Sequence, residues 1–134
     1  YYLYDIGLRN SILKDYSEIS GRDDKGILME SFVFLSMLKQ IKANMELKFW
    51  RTKHGDEVDF ILLKNRIPYP FEVKYNLSKS EIPKGLKKFL KYYPNVQYAF
   101  VVSIDYEDTL DFQGKKIFFI KWESIENLEV FENI

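Results

Sequence analysis

The sequence predicts an α/β protein in which helices cover a mixed central sheet. Three observations carry that expectation. Residues 47–75 hold three strand-like segments joined by tight turns. Tyr98 to Ile104 is a short continuous apolar run, the mark of a strand buried on both faces. Before and between these lie segments whose apolar residues recur at helical spacing. A sheet with helices alternating along the chain packs best as layers.

Taken in order, Tyr1 to Tyr4 is aromatic and extended-looking, and Asp5 can cap a short helix through Leu13. Residues 15–26 read as a loop. Asp24 can cap the next helix, from Gly26 to about Ala43, whose Leu, Met and Phe content suits a core helix. Strands are expected at Leu47–Thr52, Glu57–Leu63 and Tyr69–Tyr75. His54-Gly55-Asp56 joins the first two and Asn65-Arg66 the second two. Ser80 is expected to cap a helix from Glu81 to Tyr93, where Pro83 falls in the first turn and is tolerated. Tyr98–Ile104 follows, then an acidic loop, a last strand at Lys116–Trp122 and a short helix near Ser124–Leu128.

Composition narrows the chemistry. At 134 residues the chain is expected to form one domain, 1–134, burying roughly 68% of its unfolded surface. It holds 11 Phe, 10 Tyr and 2 Trp, so large rings are expected to build the core. Zero Cys excludes disulfides, thiol catalysis and Cys-type zinc sites, and fits a reducing, cytoplasmic location. One His excludes a multi-His metal site. No apolar run reaches the roughly 18 residues of a membrane helix. Gly21 and Gly26 have the spacing of the first two phosphate-loop glycines, but Ile27 and Leu28 stand where Lys and Ser/Thr are required, so no nucleotide-binding motif is present. The first residue is Tyr1 rather than Met, as in a fragment of a longer chain.

Net charge is zero, but unevenly distributed. Residues 1–38 carry 4 basic and 6 acidic side chains, residues 39–91 carry 13 and 6, and residues 92–134 carry 3 and 8. Local fields rather than net charge steer polyanions, so the basic middle keeps a nucleic-acid partner open.

The hairpin over 57–74 is the informative part. A two-residue turn at Asn65-Arg66 pairs Lys64 with Ile67 and sets Asp59 opposite Glu72, and Glu57 opposite Lys74. One face collects Val58, Phe60, Leu62, Tyr69, Phe71 and Val73. The other changes along its length from Ile61, Leu63, Pro68 and Pro70 to Glu57, Asp59, Glu72 and Lys74. Directly opposed carboxylates repel unless a cation lies between them. Glu30 is similarly out of place, centred on a helical stripe of Ile27, Val33, Phe34, Met37 and Ile41, so it needs a partner. A hard cation such as Mg²⁺ takes one or two carboxylates plus water and phosphate. A lysine on the same face can hold a water or offset charge on phosphorus. The competing reading is an ion-pair cluster of Lys74 with Asp59, Glu72 or Glu30, kept for structure.

On the α-helix Glu81–Tyr93, Ile82, Leu86, Phe89, Leu90 and Tyr93 form a core stripe. Lys84, Lys87, Lys88 and Lys91 occupy the opposite side, either a solvated face or a track for a polyanion. Arg51, Lys53 and His54, near the first hairpin turn, are further phosphate-contact candidates, while for a general base a turn-exposed His54 reads as incidental.

Glu30 on a helix, Asp59 on a strand and Glu72-Val73-Lys74 on the next strand resemble the PD-(D/E)XK nuclease superfamily, which shares its core with restriction endonucleases and archaeal Holliday-junction resolvases. More narrowly, Tyr4-Asp5-Ile6-Gly7-Leu8-Arg9-Asn10, Gly26-Ile27-Leu28-Met29-Glu30-Ser31-Phe32-Val33, Gly55-Asp56-Glu57-Val58-Asp59-Phe60 and Phe71-Glu72-Val73-Lys74 are similar to one family, a domain of unknown function at the C-terminus of bacterial and archaeal AAA-type ATPases. The similarity runs from Tyr1 to about Ser103. The superfamily's Pro is replaced by Val58 before Asp59, a departure at a variable position.

The resemblance implies a restriction-endonuclease-like αβββαβ core. It implies Asp59 and Glu72 as ligands of Mg²⁺ or Mn²⁺ with the Val73 carbonyl assisting, Lys74 as the catalytic lysine, and Glu30 as a further ligand or water organiser. The implied function is a metal-dependent nuclease domain hydrolysing DNA phosphodiester bonds, attached to an upstream ATPase. The alternative is a catalytically silent nuclease-fold module that binds nucleic acid or protein and regulates that ATPase. The aromatic segment Tyr1–Tyr4 is compatible with either, as a surface packed on a preceding domain.

Overall fold

The computed structural model describes residues 22–132, with side chains from 25 to 131. The Tyr1–Tyr4 segment, the helix expected from Asp5 to Leu13 and much of the loop expected at 15–26 lie outside the described residues. Helix α1 spans Arg22–Leu38, followed by strands β1 (Met45–Arg51), β2 (Glu57–Lys64) and β3 (Ile67–Val73). Helix α2 (Lys84–Tyr92) leads to β4 (Tyr98–Ser103), β5 (Asp108–Phe112) and β6 (Lys115–Lys121), then a 3-10 turn (Trp122–Asn127) and α3 (Glu129–Glu132). The α/β expectation holds as a six-stranded mixed sheet ordered β1-β2-β3-β4-β6-β5, with helices on both faces. β2 runs antiparallel to both β1 and β3, β3, β4 and β6 run parallel, and β5 closes one edge antiparallel to β6.

Two aromatic-rich cores sandwich the sheet. On one face Met29, Val33, Phe34 and Met37 of α1 meet Phe60, Leu62, Phe71 and Phe100, with Phe71 and Phe100 stacked at 4.4 Å between centroids. On the other, Leu86, Phe89 and Leu90 of α2 meet Ile61, Ala99, Val101, Ile117 and Phe119. β4 alternates between the two, as its unbroken apolar run predicts.

Four expectations need correction. Helix α1 begins before Gly26 and stops at Leu38 rather than Ala43. Asp24 therefore lies inside the helix and is not its cap. The helix closes by tightening into i−3 bonds, Gln40 N–H to Met37 O at 3.0 Å and Ile41 N–H to Leu38 O at 3.3 Å. The Gln40 side chain caps the Ser36 carbonyl at 3.0 Å and reaches the Ile125 carbonyl at 3.1 Å, tying the helix end to the 3-10 turn.

Ser80 does not cap α2. Pro83 occupies the N-cap position, and a proline disfavours helical geometry in the residue before it, so the helix starts no earlier than Lys84. Ser80 Oγ instead bonds Tyr106 Oη at 2.8 Å and the Asp108 carboxylate. The Ser80 hydroxyl and the Thr109 N–H hold the Asp108 carboxyl below the usual carboxylate range.

The acidic stretch after β4 is not all loop, since Asp108–Phe112 forms β5. Its turn to β6, Gln113-Gly114, has φ of 51° and 80°, the two-residue hairpin geometry that suits right-twisted strands.

The fourth correction lies beside the candidate site. Val58 packs with Ile61 in the α2-side core, not with Phe60 and Leu62. Lys48 pairs with Ile61 while Trp50 pairs with Val58, so two residues of β1 span three of β2. That bulge at Asp59–Phe60 reverses the alternation of β2 and turns Val58 to the other face.

Candidate functional site

The Asn65-Arg66 turn sets the geometry from one end. Both residues have positive φ, 51° and 68°, and the ladder from Lys64↔Ile67 to Phe60↔Phe71 follows the register the sequence predicts. There the ladder stops. β3 continues alongside β4 instead, pairing Phe71, Glu72 and Val73 with Phe100, Val101 and Val102, and the Lys74 N–H bonds the Val102 carbonyl at 2.8 Å. The two strands part where Asp59 and Glu72 would be the next rung.

Side chains fill the gap. Asp59 Oδ2 accepts the Val73 N–H at 2.8 Å, and Glu72 Oε1 accepts the Asp59 N–H at 3.2 Å. Each carboxylate thus satisfies a backbone donor of the other strand at the point where the ladder ends. Glu72 is 6% exposed. Its burial, a side-chain hydrogen bond with Asp59 and the Asp59 charge push its pKa up to about 9, with the Asp59 N–H and the Lys74 charge pulling the other way.

A cleft of about 570 Å³ opens over this pair. Glu30 and Gly26 of α1 line one side, the turn residues His54, Gly55 and Asp56 the far rim, and Pro83, Lys84 and Gly85 at the start of α2 another wall. Lys74 lines it too, and is exposed. The four residues singled out from sequence, Glu30, Asp59, Glu72 and Lys74, therefore share one cleft. Glu30 is half-buried at its wall rather than centred in the core. Ile27, beside it in the expected stripe, is 41% exposed, and the buried stripe of α1 runs through Met29, Val33, Phe34 and Met37. No ion pair joins Lys74 to a carboxylate among the described residues.

The lining also includes Asp56 and Glu57. Five carboxylates therefore face two lysines, Lys74 and Lys84, and all of these but Glu30 lie in the most basic stretch of the chain. The run Gly55-Asp56-Glu57-Val58-Asp59 carried that signal in its density of acids. Gly85 was passed over as well. A Cβ there would meet the Glu57 carbonyl well inside van der Waals contact, so only glycine lets α2 seat its first turn against β2.

The outlying basic residues are placed differently. Arg51 forks onto Glu57 with Nη2–Oε2 at 2.8 Å and Nε–Oε2 at 3.2 Å. Lys53 is exposed in the β1–β2 turn. Lys87, Lys88 and Lys91 continue the exposed face of α2 that begins with Lys84 at the cleft.

Hard oxygen donors at Asp59 and Glu72, with the Val73 carbonyl between the carboxylate-bearing strand and Lys74, are the set available to a cation. Among the described residues, no three His, Asp or Glu side chains form a ready metal cage. A cation here would complete its shell with water or substrate oxygen.

The fold and cleft define an α/β domain with a carboxylate pair at a strand divergence. A family described as a domain of unknown function, DUF4143, matches residues 25–124, and the chain belongs to that family. The match runs from within α1 into the 3-10 turn, with all four cleft residues, and excludes the Tyr4–Asn10 motif. Comparison with curated proteins gives no match. Among the described residues, no helix is long and apolar enough to cross a membrane.

Proposed function

We propose that this chain is a metal-dependent nuclease domain of PD-(D/E)XK type, hydrolysing DNA phosphodiester bonds as part of a longer chain that carries an AAA-type ATPase. The observation that carries the reading is the parting of β2 from β3 at Asp59 and Glu72, with Glu30 and Lys74 lining the same cleft. The element order αβββαβ from α1 to β4 supports the reading, being the order that the resemblance implies.

The donor set fits Mg²⁺ or Mn²⁺. Burial and the neighbouring Asp59 carboxylate together let Glu72 keep its proton up to about 9, and a dication would offset both by stabilising the ionised pair. Asp59 and Glu72 would hold it, and when bound it would supply the Lewis acidity that polarises a phosphodiester and acidifies a water. Lys74 offers an ammonium to the negative charge that builds on the phosphoryl oxygens. Glu30, half-buried on the cleft wall, accepts a hydrogen bond from the attacking water and orients it. Lys84, Lys87, Lys88 and Lys91 hold the phosphates on either side of the scissile bond.

The test is cleavage of single-stranded, duplex and branched DNA with Mg²⁺ or Mn²⁺ by the wild type and by Asp59→Ala. Activity present in the first and absent in the second is expected. Equal residual cleavage by both would defeat the reading.

One observation favours a silent module instead. Asp59 and Glu72 each already accept a backbone N–H, so the pair is satisfied without a ligand. That reading predicts no heat of Mn²⁺ binding. Binding that disappears in Glu72→Gln excludes it.

A further inference from the structure

At the end of the sheet away from the cleft, three of the most exposed large apolar side chains gather. Ile67, Tyr92 and Tyr98 are 52%, 62% and 44% exposed. They line one groove of about 670 Å³ together with Arg66, Tyr69 and Tyr93. The groove continues past Tyr69 and Tyr98 along the sheet face, where Tyr98 stacks on Phe118 at 5.9 Å and 29°. Scattered exposed apolar residues are ordinary on a protein surface; rings collected in one groove are not.

Tyr92 belongs to a second pattern. It lies four residues beyond Lys88 and eight beyond Lys84, so the three share one face of α2, with Lys87 and Lys91 beside them. All four lysines are exposed, and none enters an ion pair among the described residues. The row starts at the cleft with Lys84 and ends at the groove with Tyr92, next to the exposed Arg66. Nine residues at the helical rise make that path about 13 Å long.

Cations that lead into exposed rings fit one chemistry, a single strand of nucleic acid. Its phosphates track the lysines, and its unpaired bases stack on tyrosine faces. A duplex hides those faces, and an acidic peptide would use the cations without the rings. We infer that the Tyr92–Tyr98 groove is a base-stacking site that anchors a single strand whose backbone follows α2 from the cleft. This deepens the nuclease reading by giving its substrate an unpaired tail, but the binding it asserts needs neither metal nor cleavage.

The experiment measures fluorescence anisotropy of a labelled oligothymidylate and of a duplex of equal length, both in chelator. The wild-type chain is expected to bind the single strand more tightly than the duplex. Tyr92→Ala and Tyr98→Ala, both at exposed positions, are each expected to weaken single-strand binding about tenfold and leave duplex binding unchanged. Tyr92→Phe keeps the ring and is expected to keep the affinity. Lys87→Ala/Lys88→Ala weakens both ligands and flattens the salt dependence. Equal affinity for the two ligands, or tyrosine variants that bind as the wild type does, would overturn the inference. So would sedimentation showing that Tyr92→Ala only dissociates an oligomer, which would assign the groove to self-association. Binding that follows these tyrosines without any cleavage would defeat the nuclease reading alone, and cleavage accompanied by single-strand binding indifferent to them would defeat this one alone.

Discussion

Asp59 and Glu72 each hold the backbone of the other's strand: the Val73 N–H donates to Asp59 Oδ2 at 2.8 Å and the Asp59 N–H to Glu72 Oε1 at 3.2 Å. Neither carboxylate has to be ionised together with its neighbour for this to persist, because Glu72 keeps a proton when folded.

That proton makes stability depend on pH. Glu72 ionises near 4.5 in the unfolded chain and near 9 in the folded one. Between those values the unfolded state binds fewer protons, so stability falls as pH rises. The contribution is fully present below about 4.5 and lost by about 9. In chelator, the melting temperature of the wild type is expected to drop from pH 5 to pH 9. Glu72→Gln, a neutral side chain of the same shape, flattens that slope. A wild-type midpoint that climbs over this range would contradict the assignment.

Divalent cations are expected to act in the opposite direction. Binding at Asp59 and Glu72 displaces the Glu72 proton, so affinity rises with pH. At a hundredfold excess over Kd, Mn²⁺ adds about 2.7 kcal/mol of stability. Titration calorimetry in two buffers of different ionisation enthalpy reads the proton directly. Identical heats in both buffers at pH 7 would count against displacement.

Lys74 separates catalysis from structure. It is exposed and outside the ion pairs of the described residues, so Lys74→Ala is expected to change stability by no more than about 0.5 kcal/mol. Cleavage is expected to fall by about 100-fold or more. Denaturation that instead finds a loss of about 3–5 kcal/mol would identify half of a buried ion pair.

At Gly85 two effects compete. Helix propensity favours alanine over glycine by about 1 kcal/mol. The Cβ, however, meets the Glu57 carbonyl, with the carbonyl carbon at 3.1 Å and the amide nitrogen at 3.3 Å behind it. Overpacking against backbone costs about 1–3 kcal/mol, so Gly85→Ala is expected to destabilise. A urea midpoint raised by the substitution would refute the close approach.

Arg66 sits at φ 68° without a side chain suited to it. The left-handed region costs a non-glycine residue about 1–2 kcal/mol, against about 0.5–1 kcal/mol of extra chain freedom that glycine brings to the unfolded state. Arg66→Gly is therefore expected to stabilise by up to about 1 kcal/mol, read as a higher urea midpoint with an unchanged slope.

The hairpin shows what was legible. Its register follows from a two-residue turn and simple counting, and all five pairs from Lys64↔Ile67 to Phe60↔Phe71 agree. Period-two patterning along the same strand fails at Val58, because a bulge depends on what β1 offers opposite, and a single strand's sequence does not contain that. Ser80 illustrates another limit: a hydroxyl before a helical pattern can cap it or bond a distant strand, and only packing chooses Tyr106 and Asp108. β5 was hidden because an exposed edge strand shows no apolar run. The ionisable residues of the cleft stood out for a physical reason. Charges cost too much where apolar neighbours are expected, so their positions are conspicuous. Asp56 and Gly85 were not, since a loop acid or a helix glycine has many ordinary explanations.

The parting of β2 and β3 would place the sheet in competition with any cation that binds there. An oxygen that swings toward a cation is an oxygen taken from an amide, so filling the cleft loosens the seam beside it. The Val73 and Asp59 amides are thus built-in reporters of occupancy, and faster exchange of their hydrogens would register an arriving ion without any cleavage being measured.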